Sequence, residues 1–203
     1  MNRREVLIGA GAAGLAAALP ARAFAQAFAV SDQQRRILTI AKDQLERNRA
    51  RVWRTDVVGI ADYGLPSSVP RLHFADLEKG QVRSFLVAHG RGSDPEHDGF
   101  LKYFSNQLGS NATSRGAYVT NEWYKGKYGT SIRLVGVDAD NSAALERMIV
   151  MHPAWYANPD MLEKWGKLGR SDGCFAMGES DFNEALWHMS GGRLLYADRL
   201  GIY

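Results

Sequence analysis

The stretch Gly169-Arg170-Ser171-Asp172-Gly173-Cys174-Phe175-Ala176-Met177 contains the only cysteine of the 203-residue sequence. Small and polar residues flank this cysteine, whereas a buried structural cysteine usually lies in an apolar run. Gly173 can adopt a positive φ, which lets the backbone turn tightly just before the sulfur. The N–H groups of Gly173 and Cys174 would then point at one spot, as in an oxyanion hole beside a nucleophile. The stretch therefore predicts a catalytic cysteine, with a lone structural cysteine as the alternative.

A histidine ends an apolar run upstream of this cysteine. Met148-Ile149-Val150-Met151-His152 is predicted to be a strand that carries the imidazole to the cysteine turn. The thiolate is the reactive form of cysteine, and a neighbouring imidazole can generate and hold it. If His152 holds the thiolate, the pKa of Cys174 should lie below its free value of about 8.5. The alternative is a structural histidine at a strand end that does not contact the sulfur.

The start of the chain matches two different patterns. Residues 6–14 fit the G-x-G-x-x-G turn of dinucleotide-binding folds, but Pro20 would end the helix that must follow, and the next apolar strand is missing. Arg3-Arg4, an apolar core over 6–19 and Ala23-Phe24-Ala25 instead fit a secretory signal with its cleavage site. We predict that the first 25 residues are an export signal. The arginine pair resembles a twin-arginine signal.

The charge of the chain excludes some classes of function. The whole sequence has 25 basic and 22 acidic residues, and its first 25 residues hold three arginines and one glutamate. The rest therefore has 22 basic and 21 acidic residues (25 − 3 and 22 − 1), a net charge of +1. Without a clustered basic face, nothing indicates nucleic-acid binding, and no later apolar stretch is long enough to span a bilayer. We predict an N-terminal helical segment over 26–54 that packs on one domain over 55–203.

Hydrophobic periodicity predicts a mainly β domain with a few peripheral helices, in the α+β class. A helix is predicted over 31–48, capped by its first residue. A β-hairpin is predicted in which Leu72 and Phe74 lie against Phe85 and Val87. The remaining predicted elements are short: strands at 57–61, 117–120, 131–137, 148–152 and 194–197, and helices at 141–147 and 181–188.

Polar segments away from the cysteine supply further candidates. His89 follows a strand and can bind substrate, act as a base or be structural. His97 lies among three acidic residues, but the frame is short for a hard-cation loop, so we favour a solvated loop. A long loop is predicted over 104–116, and such loops are often functional. Tyr124 and Tyr128 in the next turn would stack on a ligand or cover a sheet edge.

Several of these segments together resemble the murein L,D-transpeptidase catalytic-domain family. The likeness covers about residues 55–200, and its strength lies in the ordered set of segments. The matching segments are Val87-Ala88-His89-Gly90, Phe104-Ser105-Asn106 with Gly109-Ser110, Gly116-Ala117-Tyr118-Val119-Thr120, Tyr128 to Gly136, Ile149-Val150-Met151-His152 and Gly169 to Cys174.

The resemblance implies a β-rich fold and a cysteine enzyme that acts on peptidoglycan stem peptides in the periplasm or cell envelope. It places the nucleophile at Cys174 and the base at His152. In the mechanism that we expect, the N–H groups of Gly173 and Cys174 stabilise the oxyanion with help from Ser171. No metal and no organic cofactor is implied. Five residues in or beside the matching segments are expected to bind the substrate: His89, Asn106, Tyr118, Tyr156 and Arg170.

The resemblance leaves the reaction open between related outcomes. Attack of a neighbouring stem's amine on the acyl-enzyme would give a cross-link, with release of a terminal D-amino acid. Attack of water would make the protein an L,D-carboxypeptidase. An inactive wall-binding homologue is the non-enzymatic alternative, and a cysteine peptidase of unrelated fold fits the segments less well. The sequence does not predict the oligomeric state.

The sequence departs from the family pattern at two places. The wider signature reads Ser/Thr-His-Gly-Cys, whereas Asp172 stands at the histidine position here. A carboxylate beside the nucleophile would raise the thiol pKa unless it is paired, and Arg170 is the expected partner. Eighteen residues separate His152 from Ser171, slightly more than usual. This segment, with Trp155, Tyr156 and Trp165, is predicted to form a lid.

Overall fold

A computed structural model describes residues 31–202. The predicted export signal and its cleavage point lie outside the described residues. Among the helices within this range, none is both long enough and apolar enough to cross a membrane. The N-terminal helix and all strands belong to one unit that begins at Ser31.

Eight strands dominate the described chain: β1 (Val57–Asp62), β2 (Leu72–Asp76), β3 (Gln81–Phe85), β4 (Gly116–Gly126), β5 (Gly129–Gly136), β6 (Val150–Pro153), β7 (Phe175–Met177) and β8 (Leu194–Asp198). Three α-helices accompany them: α1 (Asp32–Arg47), α2 (Asp160–Trp165) and α3 (Phe182–Met189). The strands form one sheet in the order β3-β2-β1-β8-β4-β5-β6-β7. This content confirms the predicted mainly β class with peripheral helices.

Two parallel pairs interrupt an otherwise antiparallel sheet. β1 pairs in parallel with β8, and β6 pairs in parallel with β7. After β3 the chain crosses to the opposite edge, where the Ala88 N–H donates to the Ala176 carbonyl of β7 at 2.9 Å. The crossing joins the β3 end of the sheet to the β7 end and gives a barrel-like shape. It also brings residues 88–90 directly beside the cysteine turn.

The two faces of the sheet bury separate cores because side chains alternate along each strand. One core contains large side chains from six strands: Leu72, Phe74, Phe85, Tyr118, Met151, Phe175 and Leu195. The opposite face is covered by α1, whose Ile37 and Ala41 pack over Val58 and Ile60. A third cluster, including Ala88, Met161, Leu168 and Ala176, joins the segment after β6 to β7.

The predicted helix and hairpin near the N-terminus are confirmed in outline. α1 begins directly after Ser31, whose hydroxyl caps it as predicted. In the β2–β3 hairpin, Leu72 lies opposite Phe85, but Phe74 lies opposite Arg83. β3 ends at Phe85 and does not reach Val87, so the hairpin is shorter than predicted. α3 begins one residue later than predicted, and no side chain caps it.

The helix predicted over 141–147 is wrong. The chain forms a 3-10 turn at Ala139–Asn141 and continues in turns up to Met148. The buried side chain of Asn141 donates to the Ala117 carbonyl of β4 at 2.8 Å. Met148 has a φ of 54°, which no α-helix contains. The hydrogen bond of Asn141 to β4 at one end and the left-handed conformation of Met148 at the other thus prevent the helix that the local pattern favours.

His73 on β2 predicts how acid affects stability. Its Nδ1 bonds the Ser84 hydroxyl at 2.8 Å, and its Nε2 has no hydrogen-bond partner among residues 31–202. Burial lowers the pKa of His73 to about 4. The unfolded chain gains a proton near pH 6.5 that the folded chain does not bind, so the free energy of unfolding decreases as the pH falls from 6.5 toward 4. We expect His73 alone to remove about 2 kcal/mol between pH 7 and pH 5, as measured by urea unfolding.

A glutamine at this position separates His73 from other causes of acid sensitivity. His73→Gln should make the stability less dependent on pH, although it lowers stability at pH 7 through altered packing. An equally steep pH dependence in the His73→Gln protein would contradict the expectation.

Candidate active site

His152 and Cys174 come from neighbouring parallel strands. Met151 pairs with Phe175, and His152 pairs with Ala176, between β6 and β7. Paired residues point to the same side of a sheet, and every second residue along a strand does so too. Cys174 precedes Ala176 by two residues and therefore lies on the side of His152. The register thus puts the two residues that sequence reasoning proposed as base and nucleophile on one side of adjacent strands.

The Cys174 side chain borders a surface cavity of about 600 Å³, although it is only 6 % exposed. Its thiol donates to the Met148 carbonyl at 3.6 Å, and the Val150 N–H donates to the sulfur. Other walls of the cavity come from the loop after residue 104, the β4–β5 turn and the segment before β6. The sulfur is therefore held by backbone groups at the edge of a space that can admit a peptide.

Burial raises the pKa of the Cys174 thiol to about 11. The Asp172 carboxylate acts in the same direction, whereas the Val150 N–H and the Arg147 guanidinium lower the thiol pKa. The expectation of a pKa below about 8.5 is therefore wrong for the resting protein. The sulfur rests as a thiol, so a base must remove its proton during attack.

His152 has the tautomer and the charge state that a general base needs. Its Nδ1–H donates to the Pro153 carbonyl at 2.9 Å, which leaves the lone pair on Nε2. The Tyr128 ring stacks on the imidazole with 4.4 Å between centroids and 20° between planes. Burial lowers the pKa of His152, and the bond to Pro153 opposes this shift. The imidazole is therefore neutral near pH 7 and can accept a proton.

Ser171 closes the turn that leads to Cys174. Its hydroxyl donates to the Cys174 carbonyl at 2.7 Å and accepts from the Gly173 N–H at 3.2 Å. Gly173 has a φ of 111°, in a region that side chains disfavour. The Gly173 N–H is thus bonded to Ser171 in the resting state, which corrects the predicted pair of free N–H groups. The Cys174 N–H stays a predicted oxyanion donor, and Ser171 shapes the turn.

His89 belongs to a buried network behind this turn. Arg71 donates to its Nδ1 at 2.7 Å, and its Nε2–H donates to the Asp94 carboxylate at 3.2 Å. Burial lowers the pKa of His89, so the ring is neutral. The His89 carbonyl accepts the Ser171 N–H at 2.9 Å. Because both ring nitrogens are bonded and the ring is buried, His89 supports the turn, which corrects its prediction as a base or substrate contact.

Three other predicted substrate residues also have structural contacts. The Asn106 amide donates to the carbonyl that begins the 3-10 turn after β5, at 3.0 Å. Tyr118 is fully buried, and its hydroxyl donates to the carbonyl four residues earlier at 2.8 Å. The Arg170 guanidinium donates to the carbonyls of Asp94 and Pro95. We therefore replace the predicted substrate contact of Tyr118 with a packing role. Asn106 and Arg170 are anchored by these bonds but only partly buried, and their substrate contacts stay predictions.

Tyr156 is the predicted substrate residue that the fold brings to the nucleophile. Its carbonyl accepts the Gly169 N–H at 2.7 Å, which ties it to the cysteine stretch. Burial raises the pKa of Tyr156, and charge on Cys174 or Tyr128 would raise it further. These effects require the three side chains to be near one another. Tyr156 therefore stays a predicted substrate contact.

Sequence reasoning missed Arg71, Asp94 and Arg147. Arg71 and Asp94 are fully buried and hold His89, and the half-buried Arg147 borders the cavity beside Cys174. Each is a charged residue next to a polar segment, which is also the pattern of a solvated loop. The partners of Arg147 lie 33 to 42 residues away along the chain, and Arg71 reaches His89 across 18 residues, so no local pattern identified these two arginines.

No group of three or more His, Cys, Asp or Glu residues in the described part of the chain is arranged to hold a metal ion. In the acidic segment, the His97 Nε2–H donates to the Leu168 carbonyl at 3.0 Å. The Asp94 carboxylate accepts the N–H groups of Asp98 and Gly99 at 3.0 Å each. Hydrogen bonds within the segment, and one to Leu168 before the cysteine turn, hold the segment in place.

A comparison with protein families matches residues 30–197 to the family described as the L,D-transpeptidase catalytic domain. This chain belongs to that family. No curated protein matches it.

Solved structures similar to this L,D-transpeptidase-family chain have low sequence identity to it. An L,D-transpeptidase from Mycobacterium smegmatis is 14% identical, with a TM-score of 0.42 over 70% of this chain and 58% of that one. One from Mycobacterium tuberculosis H37Rv is 15% identical, with a TM-score of 0.44 over 70% and 57%. The helical cell shape determining protein Pgp2 from Campylobacter jejuni is 11% identical, with a TM-score of 0.42 over 83% and 57%. The chain thus spans less than two thirds of each of these structures.

The two departures from the signature have structural explanations in this family member. Asp172 forms an ion pair with Arg91 at 2.9 Å, and both side chains are exposed. The predicted pairing of Asp172 with Arg170 is therefore wrong, because Arg170 binds backbone carbonyls. The longer segment before the turn folds into a 3-10 turn and α2, and it carries the exposed Trp155 and Trp165 in edge-to-face contact.

Gly173→Ala should impair both the turn and the activity of this L,D-transpeptidase-family protein. A Cβ at Gly173 would lie 2.6 Å from the Ala112 carbonyl oxygen and 3.0 Å from Arg147 Nη2. The positive φ adds strain that costs about 1–3 kcal/mol. We expect a lower free energy of unfolding in urea and slower alkylation of Cys174.

Gly80→Ala is the matched control, since Gly80 also has a positive φ of 65° but nothing lies within 4 Å of an added Cβ. This variant should lose about 1 kcal/mol through backbone strain alone and keep the reactivity of the thiol. Equal thiol reactivity in the Gly173→Ala and wild-type proteins would contradict the role assigned to the turn.

Proposed function

We propose that this protein is an exported enzyme that transfers acyl groups at the L,D peptide bond of peptidoglycan stem peptides, with Cys174 as nucleophile. The observation that carries the proposal is the placement of Cys174 and His152 on one side of two adjacent parallel strands, with Cys174 bordering an open cavity. Membership of the L,D-transpeptidase catalytic domain family supports peptidoglycan as the substrate.

The first half-reaction forms a thioester. His152 Nε2 takes the thiol proton as the Cys174 sulfur attacks the carbonyl carbon of the L-centre residue. The Cys174 N–H stabilises the resulting oxyanion. The protonated His152 then gives its proton to the amide nitrogen, and the C–N bond breaks. A free D-amino acid leaves, and the peptide stays bound to the sulfur.

The second half-reaction releases the enzyme. An amine from a neighbouring stem gives a proton to His152 and attacks the thioester carbon. The C–S bond then breaks, the sulfur takes back the proton, and a cross-linked peptide leaves. The cavity of about 600 Å³ supports this route because it has room for an acceptor beside the acyl group. Water in place of the amine would give L,D-carboxypeptidase activity through the same groups.

Export is proposed from the sequence of the first 25 residues. An arginine pair, an apolar core and an Ala-Phe-Ala cleavage site support delivery to the periplasm or cell envelope. Peptidoglycan lies outside the cytoplasmic membrane, so the proposed compartment and substrate agree.

Incubation with purified tetrapeptide muropeptides, followed by mass spectrometry, tests the proposal. Cross-linked dimers with loss of one terminal residue are expected, and trimmed monomers alone would assign carboxypeptidase activity. An unchanged substrate, together with a Cys174 thiol inert to alkylation in the folded protein, would overturn the enzyme proposal in favour of an inactive wall-binding homologue.

A further inference from the structure

Arg147 is a cation placed beside the nucleophile by three long-range hydrogen bonds. Its Nη1 donates to the Ser105 carbonyl at 2.7 Å and to the Ser114 hydroxyl, and its Nη2 donates to the Ala112 carbonyl. All three acceptors belong to the loop between β3 and β4. The guanidinium is therefore fixed in position, and its orientation does not depend on a substrate.

These hydrogen bonds use only some of the N–H groups of the Arg147 guanidinium. Arginine has five N–H donors, and three of them are used by the loop. Within residues 31–202, the Nε–H and one Nη2–H of Arg147 have no hydrogen-bond acceptor. Free N–H groups of a guanidinium bind carboxylates through short, charge-assisted hydrogen bonds.

Arg147 is also close to the reacting sulfur. A Cβ at Gly173 would lie 3.0 Å from Arg147 Nη2, and the positive charge of Arg147 lowers the pKa of Cys174. Both residues line the same cavity. A group bound by Arg147 would therefore be near the carbon that the sulfur attacks.

None of the other charged groups that line the cavity is a cation held beside the Cys174 sulfur as Arg147 is. Asp172 is paired with Arg91 at 2.9 Å, Glu146 is exposed, and the Lys127 ammonium lies over the Tyr128 ring, 5.5 Å from its centroid. Among the cavity's cations, Arg147 is the one whose charge acts on the Cys174 sulfur.

We propose that the unused N–H groups of Arg147 bind the terminal carboxylate of the donor peptide, the carboxylate of the D-amino acid that leaves. This inference rests on the proposed acyl transfer. In a peptide, the carboxylate of the residue after the scissile bond lies about 4 Å from the attacked carbonyl carbon, a spacing fixed by backbone bond lengths. A cation adjacent to Gly173 is at a suitable distance for it.

The proposal predicts which donor peptides the enzyme accepts. Binding a free carboxylate in this position restricts the donor to peptides in which a single residue follows the scissile bond. A donor with an amidated C-terminus would place a neutral group against the guanidinium and lose the charge-assisted bonds. A donor extended by one more residue would replace the carboxylate by a peptide carbonyl at the same point.

Rates on two donor tetrapeptides, one with a free terminal carboxylate and one with a C-terminal amide, test this site. For the wild-type protein, we expect kcat/KM to be about 10–100-fold lower with the amide, the range expected for hydrogen bonds to charged groups. Arg147→Met should react slowly with both donors and lose the preference, and Arg147→Lys should keep part of it. Equal rates of the wild-type protein on the acid and the amide would overturn the proposal.

Two control variants separate Arg147 from charge in general. Arg115→Met removes an arginine of the same loop that pairs with Asp140 on the surface, and it should keep the preference for the acid. Lys127→Met removes the other cation of the cavity and should keep it as well. Loss of the preference in Lys127→Met, with retention in Arg147→Met, would assign the carboxylate to the lysine and overturn the proposal.

Binding to the Cys174→Ala protein distinguishes failure of this site from failure of the proposed function. Calorimetry with that protein should give tighter binding of the acid than of the amide, and Arg147→Met in the same background should remove the difference. Turnover without an acid preference would overturn the site and leave acyl transfer standing. Absence of turnover on either donor would overturn acyl transfer, and equal binding of the two peptides would overturn the site.

Discussion

Replacement of Cys174 by alanine is expected to abolish the release of the terminal D-amino acid while leaving the fold nearly unchanged. The side chain sits in a small space between the Met148 carbonyl and the Val150 N–H, and alanine fits there without a clash. Cys174→Ser should also be nearly inactive, because a hydroxyl is much harder to deprotonate than a thiol. Mass spectrometry of muropeptide products measures both variants.

Circular dichroism and urea unfolding supply the control for this experiment. Both variants should unfold near the wild-type midpoint, so the lost activity is then due to the sulfur and not to the fold. Wild-type product yields from Cys174→Ala would show that another residue carries the reaction.

His152→Gln should slow acylation by about 10²–10⁴-fold, the usual contribution of a general base. Glutamine retains a polar side chain, but it cannot take the thiol proton. In the wild-type protein the lowered pKa of His152 keeps the imidazole neutral above pH 6.5. Activity should therefore fall only at more acidic pH, as His152 becomes protonated and can no longer act as a base.

The rate at which iodoacetamide alkylates Cys174 reports the protonation state of the Cys174–His152 pair in the resting protein. With a thiol pKa of about 11, the wild-type rate should rise about tenfold per pH unit from pH 6 to 9. His152→Gln should leave this profile nearly unchanged while removing turnover. A plateau at low pH that disappears in His152→Gln would instead reveal a thiolate–imidazolium pair, contrary to the neutral pair described above.

Two further variants control for general effects of losing a histidine. His188→Gln, on α3, should keep wild-type turnover and the wild-type alkylation profile. His89→Gln should lower stability, because it breaks the bonds to Arg71 and Asp94 behind the cysteine turn. If His89→Gln rather than His152→Gln changed the pH dependence of turnover, the assignment of the base would move to His89.

The sequence predicted the parts of the site that have local signals. A cysteine between a glycine and an apolar strand, and a histidine at the end of another strand, are visible without any knowledge of contacts. The sequence could not show that burial dominates the pKa of Cys174, because burial depends on how the strands and loops pack around the sulfur. For the same reason it could not separate the buried Tyr118 from Tyr156, whose side chain lies near Cys174.

The segment before β6 illustrates the same limit in the fold. Its residues have a helical pattern, but Asn141 is tied to β4 and Arg147 is tied to the loop between β3 and β4. Such anchors join distant parts of the chain and outweigh local propensity. Arg147 was predicted only as the end of a helix, and its position beside the sulfur follows from contacts that no pattern in the sequence encodes.

The crossing of residues 88–90 onto β7 also bears on how the protein folds. The bond from the Ser171 N–H to the His89 carbonyl joins segments that are far apart along the chain, and β1 pairs with the last strand, β8. Contacts of large sequence separation form slowly, because much chain entropy is lost before they stabilise the fold. The cysteine turn should therefore take shape late in folding, and an incompletely folded chain would carry an exposed thiol with no base beside it.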